Sequence, residues 1–422
     1  MVSKVTEILK NLSLTVEEKA EKIAEILSAL PDKGAEETVR LILNADDYVV
    51  ATYAANYLAL LPNLQQEKIQ AIEHILNNDK ILAIAATNLV KAMPDDVVNQ
   101  LINKYFQNPE DSDFSNIIYE VAQWFPDKLH PFAAQFKDSI IEKVILPGAA
   151  DNYVEDLVKK YREEEDPQYL QTLVYIRTDK ALDALITLSK TVPEEDLEDI
   201  YAYIESSGVF PETRKASLYW KNYRGYIVSR NESPHQMGGS FPHPVPKCPV
   251  TDIPANRILT LDLSQLDLGL KSGYNPSFFW YESGYSPGYI YVQFTEDGLK
   301  GLITPMTDGE VGTDLIPGEL ALKLEEYPLK YGRAGEAIPG FSYHQVGGYP
   351  NWIRFERFPS CPICDERMKF LVSIDSGMTP FGKLGFNGIL YGFWCDPCAV
   401  SCTSHQSYMA DFDSDEDEDD FE

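Results

Sequence analysis

Two cysteine pairs carry the strongest chemical signal in the sequence: CPIC, Cys361 to Cys364, and CDPC, Cys395 to Cys398. A CxxC turn offers two thiolates from one loop, and two such turns complete the four-sulfur tetrahedron that zinc favours. A redox role would need a thiol pKa lowered at the amino terminus of a helix. Here the residues after the first pair, MKFLVSI, alternate like a strand. Cys361, Cys364, Cys395 and Cys398 are therefore the expected ligands of a Zn2+ ion. With four protein ligands no position is left for water, so the site is expected to be structural and its binding energy to be folding energy. Cys402 and His405 follow closely enough to replace a ligand or to bind separately; the simpler reading is a free thiol and a surface imidazole. Cys248 reads as a buried thiol.

No other motif assembles a reaction centre. HExxH, GxSxG, GxxxxGK[ST] and a GxGxxG after a strand are all absent. Among six histidines, His344 stands beside Tyr343 and Gln345 before a Gly-Gly turn, where a pocket involving it or Trp352 is conceivable; otherwise it is a turn residue with a satisfied ring. No catalytic or cofactor-binding residue is predicted, and the chain is read as not an enzyme. The aromatic run SFFWYESGYSPGYIYVQF from Ser277 reads as core and sheet face, with a peptide anchor as the alternative.

The cysteines need a sheet to position them. YIYVQF from Tyr289, MKFLVSI from Met368 and ILYGFW from Ile389 alternate with period two between Gly and Pro, so residues 256–408 form a β-rich α+β domain with a structural zinc site. Residues 226–255, rich in Pro, Gly and Ser, are the linker and entry to it. The domain echoes itself. MGGSFPHPVPKCPVTDIPANRILTLD from Met237 and VGGYPNWIRFERFPSCPICDERMKFLVSID from Val346 share a GG, a proline, CP and a strand ending in Asp. Thr251 replaces Cys364 in the earlier copy. The pattern is that of a duplicated half that lost its metal pair, or of chance likeness in a Gly- and Pro-rich stretch.

Residues 1–225 carry a different period. Prolines at 31, 62, 94 and 126 follow apolar stripes: Val50, Tyr53, Ala54, Tyr57, Leu58 and Leu61, then Leu82 to Met93, then Phe114 to Phe125, 32 residues apart. Spacings of i, i+3, i+4, i+7 mark helices. Asp47, Asp79 and Asp111 stand where they can cap them, and Thr15 with Glu18 forms a capping box. Weaker copies precede Pro31 and Pro193. Such units bury their apolar faces only against each other, which predicts an all-α helical-repeat solenoid.

The solenoid layout resembles the HEAT-like families. At VGGYPNWIRF, CPICDERMKFLVSID and GILYGFWCDPC the sequence resembles the YwqG-like family of bacterial proteins, whose activity is largely unassigned. More distantly it is similar to the carboxy-terminal domain of the programmed-cell-death-protein-2 group, which implies a zinc-knuckled sheet used for interaction and, in that group, the chaperoning of a basic ribosomal protein. The second zinc finger of that group is missing here.

Charge narrows the partners. The net of -30 repels nucleic acid and anionic lipid. No run of 18 apolar residues and no secretory signal is present, so a cytoplasmic location without membrane contact is expected. Residues 409–422 form an acidic tail expected to be disordered. The expected function is protein–protein interaction, as a chaperone or neutraliser of a basic partner. An enzyme of unrecognised type and a plain scaffold subunit are the alternatives.

Overall fold

The computed structural model describes residues 2–78, 81–109, 112–136, 141, 144–192, 197–207, 209–210, 215–216, 222–248, 254–266, 268, 270–281, 288–303, 315–326, 343–348, 350–353 and 358–408. Asp79, Asp111, Thr251, Pro193 and the acidic tail lie outside them.

The amino-terminal half is helical. α1 (Val2–Lys10), α2 (Val16–Ser28), α3 (Ala35–Leu43), α4 (Tyr48–Leu60) and α5 (Gln65–Leu76) lead into a 3₁₀ segment, Ala83–Ala92. α6 (Asp95–Gln107), α7 (Ser112–Trp124) and α8 (Pro126–Leu129) follow. The local signals act as written in the sequence. Thr15 and Glu18 close a capping box on α2, and the Asp47 carboxylate accepts the Val49 and Val50 amides at 2.9 and 3.1 Å. Pro126 sits in the first turn of α8, where its missing N–H costs nothing.

The second stripe departs from the expected α-helix. Its residues wind as a 3₁₀ turn series closed by Ala85 N–H to Leu82 O and Met93 N–H to Val90 O. Leu82, expected inside, is exposed, while Ala85, Ala86, Leu89, Val90 and Met93 are buried. Four alanines in ten residues let the tighter winding pack without clash. The stripes of α4, this segment and α7 share one core that runs from Val5 to Ile145. α9 (Asp151–Glu164), α10 (Pro167–Ile176), α11 (Asp179–Leu188) and α12 (Leu197–Ser206) bury a separate core centred on Leu173, Ile176 and Leu185.

After a two-residue pair, β1 (Val209–Phe210) with β2 (Lys215–Ala216), the chain builds a curled eleven-stranded antiparallel sheet. Its strands are β3 (Tyr223–Ser229), β4 (Gln236–Gly238), β5 (Asn256–Thr260), β6 (Ser277–Trp280), β7 (Ile290–Thr295) and β8 (Gly298–Ile303), then β9 (Glu319–Glu326), β10 (His344–Val346), β11 (Lys369–Asp375), β12 (Ile389–Cys395) and β13 (Val400–Gln406). Their order is β6-β5-β4-β9-β3-β10-β11-β12-β13-β7-β8.

The centre of this sheet resolves the sequence echo in favour of duplication. β3 and β9 pair along seven residues, from Tyr223 opposite Glu326 to Ser229 opposite Leu320. Each is followed in sequence by a three-residue strand that pairs with the other: β4 lies on β9 and β10 on β3. The hydrogen bonds repeat as well. His235 Nδ1 accepts the Asp262 amide at 3.0 Å and His344 Nδ1 accepts the Asp375 amide at 3.3 Å. Asp262 and Asp375 then each accept the amide two residues on, at 2.9 Å. Lys247 bridges Pro254 as Ser360 bridges Arg367, and Ala255 N–H to Pro246 O matches Met368 N–H to Pro359 O, both 2.8 Å. Both GG turns hold consecutive glycines in the left-handed region, from φ 61° at Gly238 to φ 71° at Gly347. A Cβ on Gly238 would stand 2.3 Å from the Gly318 carbonyl oxygen.

The two halves of the chain share a boundary. Tyr343, next to β10, is part of the first helical core, and Met378 packs against it. Asn63 N–H donates to Glu325 at 3.1 Å, and the Lys33 ammonium lies 3.8 Å from the centre of the Phe381 ring.

Candidate functional site

The sheet brings together the two cysteine pairs that 30 residues separate in sequence. Cys361 and Cys364 lie in the turn that leads into β11. Asp365 N–H donates to Cys361 O at 2.9 Å and Cys361 N–H to Glu366 O at 2.8 Å, with Asp365 at φ 61° to close the turn. Cys395 ends β12 and Cys398 sits in the tight turn before β13, closed by Ala399 N–H to Asp396 O. β11 and β12 are neighbours, so the two turns meet at one end of the sheet.

All four sulfurs lie within 4.8 Å of one another, and Cys364 Sγ is 3.7 Å from Cys395 Sγ. A tetrahedral ion with metal–sulfur bonds of about 2.3 Å requires sulfurs about 3.8 Å apart. The set therefore fits a metal ion. Burial pushes the Cys395 thiol up. For Cys364 burial acts the same way, but the Glu366 backbone and the neighbouring thiols outweigh it and lower its pKa. Sulfurs so close cannot all ionise without a cation between them.

Period two in β12 fixes this end of the sheet. Tyr391, Phe393 and Cys395 face a small core with Cys361, Met368, Phe370 and Trp352, while Leu390 and Trp394 face the main core. The Trp352 ring packs against Tyr391, its centre 4.5 Å away and its plane tilted by 40°, so it is a wall of the knuckle. Asp396 ties the second turn to a distant loop by accepting from the Lys271 and Ser272 amides at 2.7 and 3.0 Å and from the Trp394 indole at 3.1 Å. Neither CxxC is followed by a helix.

The remaining sequence candidates have other duties. Cys402 is buried on β13 and outside the four-sulfur set. The His405 ring, placed on the surface in the sequence reading, is instead largely enclosed; its Nε2 lies 3.0 Å from Asn387 O, and burial pushes its pKa down to about 4. Cys248 is buried in the main core. His344 is fully enclosed in β10, and burial, reinforced by the Arg224 charge, pushes its pKa down to about 3. It is a structural histidine whose Nδ1 serves Asp375.

A second place with perturbed charges was not visible in the sequence. Where α2, α4, the 3₁₀ segment and α7 meet β3, a cleft with about 100 Å³ of free volume opens, lined by Tyr53, Asn56, Asn88, Trp124, Arg224 and Tyr343 among others. A smaller recess beside it shares Ala59, Asn88 and Arg224 and adds Lys68, Lys91 and Glu325. Lys91 Nζ is 2.9 Å from Glu325 and 3.1 Å from the Tyr226 hydroxyl. Burial opposes ionisation of Glu325, but Lys91 and the Asn63 amide hold its carboxyl below the usual range. Lys91 and Glu325 lie 234 positions apart with no local pattern to link them, so only the docking of sheet on helices reveals the site.

No family model matches the chain, and no solved structure gives a significant match. One curated protein is similar: the uncharacterized protein YpfL of Salmonella typhimurium strain LT2, 33% identical over 92 residues, which are 22% of this chain. The chain spans 20% of that relative's length.

Proposed function

We propose that this chain is a non-enzymatic interaction protein that holds a basic protein partner, as a chaperone or neutraliser. The observation that carries the reading is the second helical core. Between residues 151 and 206 fifteen acidic residues stand against six basic ones. α9 and α11 there flank an open groove with Val154, Val158 and Ala184 on its floor and Glu155, Glu163 and Asp183 on its rim beside Lys159, Arg162 and Lys180. An apolar floor with a charged rim suits a partner segment laid along it. The acidic tail extends the same bias.

In this reading the helical half is a HEAT-like solenoid and the sheet a YwqG-like domain. The four thiolates hold a structural Zn2+, because a closed all-sulfur set suits that ion and leaves no site for substrate. Six cysteines with no disulfide among the described residues fit a reducing compartment, the cytoplasm. The test is binding of fluorescein-labelled protamine and, as control, polyglutamate across a salt series, with the full chain and with a chain ending at residue 410. Protamine affinity that falls with salt and with loss of the tail supports the reading. Salt-insensitive binding, or preference for polyglutamate, ends it.

A further inference from the structure

The cleft at the junction holds an arginine in an unusual state. The Arg224 guanidinium carbon lies 5.1, 5.0 and 5.9 Å from the ring centres of Trp124, Tyr226 and Tyr343. Three rings around a guanidinium engage its π face, and its N–H donors lie in its plane, where an acceptor should be. Among the described residues none accepts: the buried Nε has no hydrogen-bond partner, and no carboxylate forms an ion pair with this side chain. The nearby carboxylates are engaged. Glu325 is bonded to Lys91 and Asn63 N–H, and buried Glu120 accepts from the Trp124 indole at 3.3 Å.

The local charge is also opposite to that of the molecule. In a chain of net -30, Arg224, Lys91 and Lys68 converge on Glu325 and Glu120. With Lys91 neutralised by Glu325 and Arg224 offset by Glu120, the excess is the partial positive charge of Lys68, about half protonated at pH 7. Apart from Glu120, the walls around it are largely apolar or amide-bearing: Tyr53, Trp124, Tyr343 and Met378, with Asn88 donating to Asn56 at 2.7 Å. Its free volume of about 100 Å³ limits it to a small ligand.

We propose that this cleft is a binding site for a small organic monocarboxylate, its carboxylate on the Arg224 N–H edge and its apolar body between Trp124, Tyr343 and Met378. A small positive excess fits a monoanion better than a dianionic phosphate ester, and a planar two-oxygen group matches the guanidinium fork. The site is independent of the partner groove on α9 and α11.

Phenylacetate titrated into the full chain at pH 7 by calorimetry is the test, with benzyl alcohol, phenyl phosphate and inorganic phosphate as controls. Phenylacetate should saturate one site per chain with a Kd of about 1 mM or tighter. Arg224→Met should weaken it about tenfold or more, the loss of a charge-assisted pair. Met378→Trp, which keeps the cation and fills the cleft, should do the same, so the result does not hang on one variant's folding. Absence of saturation up to about 10 mM, equal affinity in both variants, or equal binding of benzyl alcohol would overturn the site. Tighter binding of phenyl phosphate or inorganic phosphate would overturn the monocarboxylate assignment.

Discussion

Replacing Lys68 with methionine is expected to stabilise the protein at neutral pH and to destabilise it in alkali. Lys68 is 6% exposed, and its Nζ donates to the Leu61 carbonyl at the end of α4 at 2.6 Å. Burial, and then the Arg224 charge, push its pKa from 10.5 down to about 7. An unfolded lysine keeps its proton up to 10.5, so between pH 7 and 10.5 the unfolded chain binds more protons and stability rises with pH. The gap is equivalent to about 5 kcal/mol, of which about 4 still weighs on the native state at pH 7 and about 1 at pH 10.

Methionine fills nearly the same space without the charge, but it leaves Leu61 O without its donor, at a cost of about 1–3 kcal/mol. The net is a gain of about 2 kcal/mol at pH 7 and a loss of about 1 kcal/mol at pH 10. Urea unfolding of both proteins at pH 7, 8.5 and 10 reads this directly, because groups not coupled to Lys68 titrate alike in both and cancel in the difference. A difference that keeps one sign, or does not move with pH, would refute the buried cation as the cause.

Three further outcomes are expected. Chelation should unfold the β11 to β13 end of the sheet, since structural zinc supplies about 10 kcal/mol or more against domain stabilities of about 5–15; metal analysis should find about one ion per chain, and a metal-free chain with unchanged near-ultraviolet dichroism would contradict the site. Burial raises the Asp375 pKa to about 7 against hydrogen bonds from Gly377, Tyr408 and Tyr343. Its folded pKa lies above its unfolded 3.8, so the stability present in acid is lost as pH rises through 7. Asp375→Asn should therefore gain about 2–3 kcal/mol on the wild type between pH 5 and pH 8, and denaturant melts with the opposite slope would exclude that account. Gly238→Ala should cost about 2–4 kcal/mol from left-handed strain and the approach to Gly318 O; a thermal midpoint within a degree of wild type would show that the turn can rearrange.

What was legible in the sequence was whatever local chemistry decides. Asp47, Thr15 and Glu18 cap helices because their oxygens reach amides two or three residues away. Strands at Ile290, Lys369 and Ile389 declare themselves by alternation. The cysteine cluster was legible because CxxC encodes half a tetrahedron and the intervening strands are antiparallel neighbours. The 3₁₀ winding at Ala83–Ala92 was not, since its apolar spacing suits 3.6 residues per turn as well and only packing against α4 and α7 selects the tighter form. Arg224 and Lys68 were silent for a different reason. Each is an ordinary cation in an ordinary amphipathic segment until the sheet closes over the helices and removes water from both.

The duplication shows how little of the knuckle fold depends on the metal. Asn256 pairs with Trp280 across β5 and β6 as Lys369 pairs with Trp394 across β11 and β12, so Tyr281 occupies the place of Cys395. Tyr281 is fully buried, in the main core with Cys248, the counterpart of Cys361. The first half thus keeps the turn, the bridge at Lys247 and Pro254 and the histidine bond to Asp262 while burying an aromatic ring where the second half has a sulfur. A buried tyrosine contributes more apolar area than a cysteine and needs no cation. The second half keeps polar thiols at the corresponding end, with Cys364 exposed and Cys398 half-exposed. A thiol pair at the rim of a sheet cannot substitute for a core, so the proposed ion would matter to that half and not to the other. Loss of the metal should accordingly release β11 to β13 before β4 to β6, an order that hydrogen exchange after chelation would resolve strand by strand; simultaneous release would mean that the β3 and β9 pair couples the halves into one cooperative unit.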